Sequence, residues 1–219
     1  MEKEINFSLK AKYATYGELS DKTEKIWFVC HGYGQLAEFF IKNFEVLDPN
    51  TNYVIAPQGL SKFYLKGFTG RVGATWMTKE DRETDMQNQR SYFEAVLAES
   101  FQGKSLNNYK VHLMGFSHGV SMISRMAAYS KIEFKTLVLW AGGFPPELEQ
   151  SDFDHIRNDA KLKIVIGDND EFYPLEKFQR FEKKLDEYLP NFQSLKYKAK
   201  HEITNEMREN MREWLEMKR

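Results

Sequence analysis

The chain has 219 residues, of which 42% are hydrophobic and 29% are charged, and its formal net charge is −1. This length predicts one domain with a sizeable core, and we expect a single domain over residues 1–219. The near-neutral charge excludes the basic footprint of a nucleic-acid binder, and no apolar stretch approaches the ~20 residues that span a membrane.

The chain contains a single cysteine, Cys30, so an intrachain disulfide is excluded. The N-terminal residues interleave charges with apolar side chains and lack the apolar core of a signal peptide. Both features indicate a reducing compartment, and we expect the cytoplasm. Cys30 precedes His31 on a predicted strand, where neighbours point to opposite faces, so we expect a buried, inert thiol.

Strand-like and helix-like patterns alternate along the chain. An alternating segment at residues 5–19 predicts an antiparallel start to a sheet. Short apolar runs predict further strands at 25–30, 53–57, 109–114, 135–142, 161–168 and 194–199. Apolar residues at helical spacing predict helices within 36–47, 80–101, 120–127, 174–189 and 203–215. This order predicts an α/β fold, with a mostly parallel sheet covered by helices on both faces and sites at the carboxyl ends of its strands.

Residues 58–79 show neither pattern and form a long irregular stretch with four glycines and four large aromatic side chains. A loop of this length inside a compact domain is typically functional or disordered. The aromatic content argues against disorder, so we expect a functional loop.

The stretch VHLMGFSHGV, residues 111–120, holds Ser117 between two glycines where a strand gives way to a helix. The spacing G-x-S-x-G is typical of a strained turn that lifts a nucleophilic serine clear of the backbone. In that position the amide of His118, at the helix N-terminus, faces a developing oxyanion.

A serine hydroxyl needs a base within hydrogen-bond reach and an acid that orients the base. Only His201 follows the last strand and lies downstream of an acid at a strand end, the order expected for this chemistry. The other histidines fit structural or surface roles: His31, His112, His118 and His155. For the acid, spacing leaves three residues open: Asp168, Asp170 and Glu171.

Four motifs follow one another along the chain: VCHGYG at 29–34, GFSHGV at 115–120, GDNDEFYP at 167–174 and KHEIT at 200–204. With them the chain resembles the α/β-hydrolases, and among these the small phospholipase/carboxylesterase group that includes acyl-protein thioesterases. The resemblance implies Asp170 as the acid, because an aspartate three residues after a glycine and four before a proline is the group's pattern. It also implies Tyr33 and His118 as oxyanion-hole amides, and Trp76 near the acyl pocket. Two positions depart from the group, with His118 where glutamine is usual and Lys200 where glycine is usual.

The expected substrate pocket is aromatic, and we expect its walls to include Trp76, Phe68, Phe144 and Phe172. Aromatic walls suit acyl or aryl groups, although the same rings could instead pack beneath the loop. Residues 141–160 are too few for a large cap domain, so we expect an open site.

These features predict a serine hydrolase that cleaves carboxylic esters or thioesters through Ser117, Asp170 and His201 and an acyl-enzyme. No metal or organic cofactor is expected, and the expected partner is a small-molecule ester or thioester, with a homodimer as a possible assembly. The alternatives are an acyl-protein thioesterase or lysophospholipase, a hydrolase of small C–C or C–Cl bonds, and a non-catalytic protein that binds a ligand or partner in the same cleft.

Overall fold

The computed structural model describes residues 1, 3–156, 159–188 and 192–216. Within these ranges the strands are β1 Tyr13–Tyr16, β2 Lys25–Cys30, β3 Asn52–Pro57, β4 Ser61–Tyr64, β5 Val72–Thr75, β6 Lys110–Phe116, β7 Thr136–Trp140, β8 Lys161–Gly167 and β9 Phe192–Tyr197. The α-helices are α1 Ala37–Phe40, α2 Arg82–Phe101, α3 His118–Tyr129, α4 Leu175–Tyr188 and α5 Asn205–Glu216. Short 3₁₀ helices occur at Ile41–Phe44, Leu106–Asn108 and Gln150–Phe153.

Seven of the described strands form one sheet in the order β1-β3-β2-β6-β7-β8-β9. Only β1 runs antiparallel, against β3, and the other neighbours are parallel. Helices cover both faces, which explains why the central strands are apolar along almost their whole length. The predicted fold class, with its antiparallel N-terminal strand, is confirmed.

The central strands of the sheet are almost completely buried. Strand β2 is buried from Ile26 to Cys30, and the side chains of this run face two separate hydrophobic clusters on opposite sides of the sheet. Cys30 has no exposed surface, and burial raises the pKa of its thiol. The predicted burial of this cysteine is confirmed.

The prediction of an irregular loop at 58–79 was wrong in part. Strands β4 and β5 pair there as an antiparallel hairpin, with Ser61 opposite Thr75 and Tyr64 opposite Val72. Three of the four residues of β4 are exposed, so the hairpin has little apolar alternation by which a sequence pattern could reveal it.

Three other predicted elements differ in extent. Only the end of the 5–19 segment pairs as a strand, and Ile5, Phe7 and Leu9 stand exposed before it. The helix predicted at 36–47 is one α-helical turn followed by a 3₁₀ turn. Leu189, predicted on the fourth long helix, lies outside the described residues, as do the side chains of Trp214 and Leu215.

The carboxyl ends of the parallel strands converge on one edge of the sheet and carry the candidate residues. His31 follows β2, Ser117 follows β6, Asp170 lies three residues after β8, and His201 lies four residues after β9. None of the helices described is long and apolar enough to cross a membrane.

Candidate active site

Ser117 sits at a strained turn between β6 and α3. Its backbone angles are φ 53° and ψ −118°, outside the regions that non-glycine residues ordinarily occupy. The turn is anchored by the Ser117 amide, which donates to the carbonyl of Trp140 at 2.8 Å.

The two glycines of the motif are required by close packing. A Cβ at Gly119 would lie 2.1 Å from the carbonyl oxygen of Cys30, and one at Gly115 would lie 2.4 Å from the carbonyl oxygen of Gly119. Helix α3 can therefore begin against β2 only when both positions lack a side chain.

His201 links the serine to an acid. Its Nε2 lies 2.8 Å from Ser117 Oγ, and its Nδ1 lies 2.7 Å from Asp170 Oδ2. An ionised carboxylate can only accept, so Nδ1 carries the proton and Nε2 presents its lone pair to the serine hydroxyl. Ser117 and His201 are 84 positions apart in the chain.

Asp170 is held on both of its oxygens. Oδ1 accepts the amides of Phe172 and Tyr173, each at 2.9 Å, while Oδ2 receives the His201 ring. The residue is only 6% exposed. Asp168, the other aspartate that spacing left open, is exposed and accepts from the side chain of Asn169.

Two other histidines, His31 and His112, are buried and contact neighbouring backbone groups or aromatic rings. His31 Nε2 accepts the amide of Gly59 at 3.0 Å, and its Nδ1 lies 2.8 Å from the Gly32 carbonyl. Burial lowers the pKa of His31 to about 4. His112 stacks on Trp27 with 4.6 Å between ring centroids, and neither of its ring nitrogens has a partner within the described ranges.

The loop after His31 carries Tyr33, whose ring lies 6.4 Å from that of His118, the first residue of α3. The residues on either side of Tyr33 are held by hydrogen bonds. The Gly32 amide donates to Gln35 Oε1 at 2.8 Å, and the Gly34 amide donates to the Ala74 carbonyl at 2.9 Å. Neither the Tyr33 amide nor the His118 amide donates a hydrogen bond to any residue the structure describes. Sequence reasoning missed Gln35, although its place one residue after HGYG was a usable signal.

Two aromatic rings flank the His201 ring. Phe172, 73% exposed, lies 5.1 Å from the His201 ring, and Phe116, which is buried, lies 5.0 Å from it on centroid distances. Phe116 was not predicted as a site residue, although it is the residue directly before Ser117. Phe144 is half-buried and packs against Phe153 at 5.5 Å.

The pocket assignments of Phe68 and Trp76 need correction. Phe68 is 93% exposed in the turn between β4 and β5, so it forms no wall of an enclosed pocket. Trp76 is fully buried and donates its indole N–H to the carbonyl of His31 at 2.8 Å. Its ring stacks on His31 with 4.6 Å between ring centroids, so it supports the loop that follows β2.

The His118 side chain occupies a half-buried position beside the Tyr33 loop. Its Nδ1 lies 3.5 Å from Thr75 Oγ1, and its ring lies 6.4 Å from that of Tyr33. Burial is the main cause that lowers the pKa of His118 to about 4, and the charges of Arg125 and Arg82 add to it. The ring is therefore neutral at pH 7.

A buried arginine forms an ion pair further along α3. Arg125, whose side chain is 4% exposed, contacts Glu147 through Nη2 at 2.5 Å and Nε at 2.7 Å. Arg82, at the start of α2, reaches the same carboxylate at 3.4 Å. Glu147 therefore joins two helices to the segment that follows β7.

These features together define an α/β-hydrolase: a mostly parallel sheet, a serine at a strained strand-to-helix turn, and a histidine and an aspartate brought to it from later strand ends. The chain belongs to the phospholipase/carboxylesterase family, whose profile it matches over residues 14–218. Membership of this family indicates a hydrolase of the carboxylesterase or thioesterase kind.

Solved structures show the same fold. Acyl-protein thioesterase 2 from Zea mays is similar with a TM-score of 0.68 and 18% identity, over 94% of this chain and 98% of that one. A carboxylesterase from Bacillus cereus is similar with a TM-score of 0.68 and 15% identity, over 94% and 93%. A phospholipase/carboxylesterase from Dyadobacter fermentans gives 0.69 and 16%, over 97% and 99%. Among curated proteins, no sequence matches this chain significantly.

Proposed function

We propose that this protein is a serine hydrolase that cleaves carboxylic esters or thioesters through an acyl-enzyme on Ser117. The observation that carries the proposal is the chain of contacts from Ser117 Oγ to His201 Nε2 at 2.8 Å and from His201 Nδ1 to Asp170 Oδ2 at 2.7 Å. A nucleophile, a base and an orienting acid in hydrogen-bond reach are the requirements of this chemistry.

In the first step Ser117 Oγ attacks the carbonyl carbon, and its proton passes to His201 Nε2. The Asp170 carboxylate keeps the ring in the correct tautomer and stabilises the imidazolium that forms. His201 then gives the proton to the leaving oxygen or sulfur, and the carbonyl remains bonded to Ser117 as an acyl-enzyme.

The amides of Tyr33 and His118 are the proposed oxyanion donors. Two observations support this role: neither amide has a hydrogen-bond partner in the described structure, and the His118 amide opens helix α3. Each such donor stabilises the transition state by about 3–4 kcal/mol in comparable sites.

In the second step a water molecule takes the place of the leaving group. His201 accepts a proton from that water, the resulting hydroxide equivalent attacks the acyl carbon, and the proton returns to Ser117 Oγ. The acid leaves and the starting state is restored. The same groups serve both ester and thioester substrates.

The proposal is tested with a fluorophosphonate probe, which forms a covalent bond with an activated serine. We expect labelling of the wild-type protein and its loss in Ser117→Ala. Ser121→Ala is the matched control, since Ser121 lies one helical turn later and its hydroxyl donates to the His118 carbonyl at 2.9 Å. Ser121→Ala should keep both the label and the turnover of p-nitrophenyl esters and acyl thioesters.

A folded wild-type protein that takes no label and turns over neither ester nor thioester would contradict the proposal. That result would favour the non-catalytic alternative, a protein that binds a ligand or partner in the cleft.

A further inference from the structure

The imidazole of His118 plays no part in the proposed chemistry, which uses only the backbone amide of this residue. The ring is nevertheless half-buried beside the Tyr33 ring, one residue after the proposed nucleophile. We refer to His118, Thr75 and Tyr33 as the His118 subsite. Its hydrogen bonds determine what the ring offers to a substrate.

The first step concerns the tautomer of the His118 ring. Thr75 Oγ1 lies 3.2 Å from the Met77 carbonyl and donates its one proton there. The oxygen can then only accept from His118 Nδ1, which lies 3.5 Å away. Nδ1 therefore carries the ring proton, and Nε2 holds a free lone pair.

The second step concerns the availability of that lone pair. Nε2 of His118 has no hydrogen-bond partner among the residues that the structure describes. It is also not one of the unpaired nitrogens that are sealed from solvent, unlike those of His112. The ring stays neutral at pH 7 because burial and the nearby arginines lower its pKa to about 4. The subsite thus presents an open acceptor.

The third step locates this acceptor relative to a bound substrate. The leaving group must lie against His201 Nε2, which returns the proton to it, and the rings around His201 are Phe116 and Phe172. The neighbours of His118 are a different set, Thr75 and the Tyr33 ring. The His118 subsite thus lies beside Tyr33, whose amide is a proposed oxyanion donor, and apart from the rings around the proposed base.

We infer that His118 Nε2 accepts a hydrogen bond from the acyl group of the substrate, so the preferred substrates are esters or thioesters whose acyl chain carries a hydroxyl or amide N–H. This inference rests on the proposed function and adds the substrate class to it. An acceptor without a donor partner is left unpaired when an all-hydrocarbon acyl group displaces water from the subsite, which disfavours that group.

The test compares p-nitrophenyl esters in matched pairs. One member of each pair has a hydroxyl on the acyl chain, and the other has a methyl group at the same carbon. For the wild-type protein we expect kcat/KM to be higher for at least one hydroxyacyl ester by about fivefold or more. The readout is this ratio, which does not depend on the absolute turnover of a variant.

Two substitutions of His118 distinguish the effect of its hydrogen-bond acceptor from the effect of its side-chain volume. His118→Gln keeps a carbonyl acceptor of similar reach and should retain the preference. His118→Leu keeps the volume without an acceptor and should bring the ratio close to one. Should either variant fail to fold, boronic acids with and without the hydroxyl give the comparison in the wild-type protein alone, as the ratio of their inhibition constants.

The outcomes distinguish the two claims. Ratios near one for every pair in the wild type, with turnover that depends on Ser117, overturn the His118 inference and leave the proposed function standing. A preference that persists in a folded His118→Leu variant also overturns it. No turnover of any ester and no binding of either boronic acid overturns both.

Discussion

At the scale of single residues, the His201 ring is fixed from both sides. Asp170 determines which nitrogen carries the proton, and two backbone amides determine where Asp170 points. Because Asp170 is almost fully buried, its carboxylate has no competing partner in water. The proposed base therefore depends on the identity of one carboxyl group rather than on charge in the neighbourhood.

This dependence predicts different results for the two aspartates. In Asp170→Asn the amide oxygen can keep the bonds from Phe172 and Tyr173, which turns the NH₂ group toward His201 and forces the wrong tautomer. We expect kcat for p-nitrophenyl acetate to fall about a thousandfold or more. Asp168→Asn, at an exposed side chain, should stay within about threefold. Equal losses in the two variants would refute the assignment.

Some properties of single residues could be predicted from the sequence and others could not. The strand-to-helix turn at Ser117 and the position of His201 after the last strand were predictable from spacing. Spacing could not separate Asp168 from Asp170, because the choice depends on which carboxylate turns inward. Phe68 was placed in the pocket because it is aromatic, and Trp76 also because of the family resemblance, yet the first is exposed and the second is buried. Only tertiary packing determines this difference.

At the scale of elements, the contact between helix α3 and strand β2 positions Ser117. Gly119→Ala would put a methyl group 2.1 Å from the Cys30 carbonyl oxygen, which is backbone and cannot turn away. We expect a loss of about 2–3 kcal/mol in the free energy of unfolding and loss of esterase activity, measured by urea denaturation and ester turnover.

Gly143→Ala is the matched control for that prediction. A Cβ there would meet its nearest atom, the Tyr173 hydroxyl, only at 4.0 Å. Its stability should stay within about 0.5 kcal/mol of the wild type. If Gly119→Ala were equally harmless, the close approach of helix and strand would not be what positions the serine.

The ion pair between α3 and the segment after β7 gives a second prediction at this scale. Glu147→Ala leaves the buried Arg125 guanidinium without its partner, and we expect unfolding to become easier by about 2 kcal/mol. Replacing both residues, as Arg125→Met with Glu147→Leu, removes the unpaired charge and should cost less than Glu147→Ala alone. Urea denaturation of the wild type, the single variant and the double variant measures the free energy of unfolding. A double variant that is less stable than Glu147→Ala would contradict the argument.

Strands and helices could be predicted from the sequence where their burial produces a recognisable pattern of apolar residues. The central strands are buried on both faces, so their apolar runs stand out. The β4–β5 hairpin has a mostly exposed first strand and pairs outside the main sheet, so no periodic pattern marks it. Because Thr75 lies on that hairpin, its contact with His118 could not be foreseen either.

At the scale of the whole molecule, buried histidines couple folding to pH. Burial, with the charges of Lys25 and Lys110, lowers the pKa of His112 to about 3, against about 6.5 in the unfolded chain. The unfolded state therefore binds the proton more readily than the folded state. The free energy of unfolding falls as pH decreases below about 6.5, and the loss continues to about pH 3.

Removing that histidine should remove its share of the acid sensitivity. At pH 5 the loss through His112 is on the order of 2 kcal/mol, from about 1.36 kcal/mol per pH unit. We expect His112→Phe, whose ring can still stack on Trp27, to lose that much less stability between pH 7 and pH 5. The wild-type slope keeps contributions from His31 and His118, so the variant remains somewhat acid-sensitive. Identical pH dependence of the two proteins in urea titrations would exclude His112 as a source.

The reactivity of Cys30 toward thiol reagents can report on unfolding of the protein. This side chain has no exposed surface, lies at the end of a central strand, and is the only thiol in the chain. A thiol reagent can reach it only when the middle of the sheet separates, so the rate of modification at low denaturant measures global unfolding events. Stabilising or destabilising substitutions can thus be ranked by reaction rate under native conditions, without an introduced label.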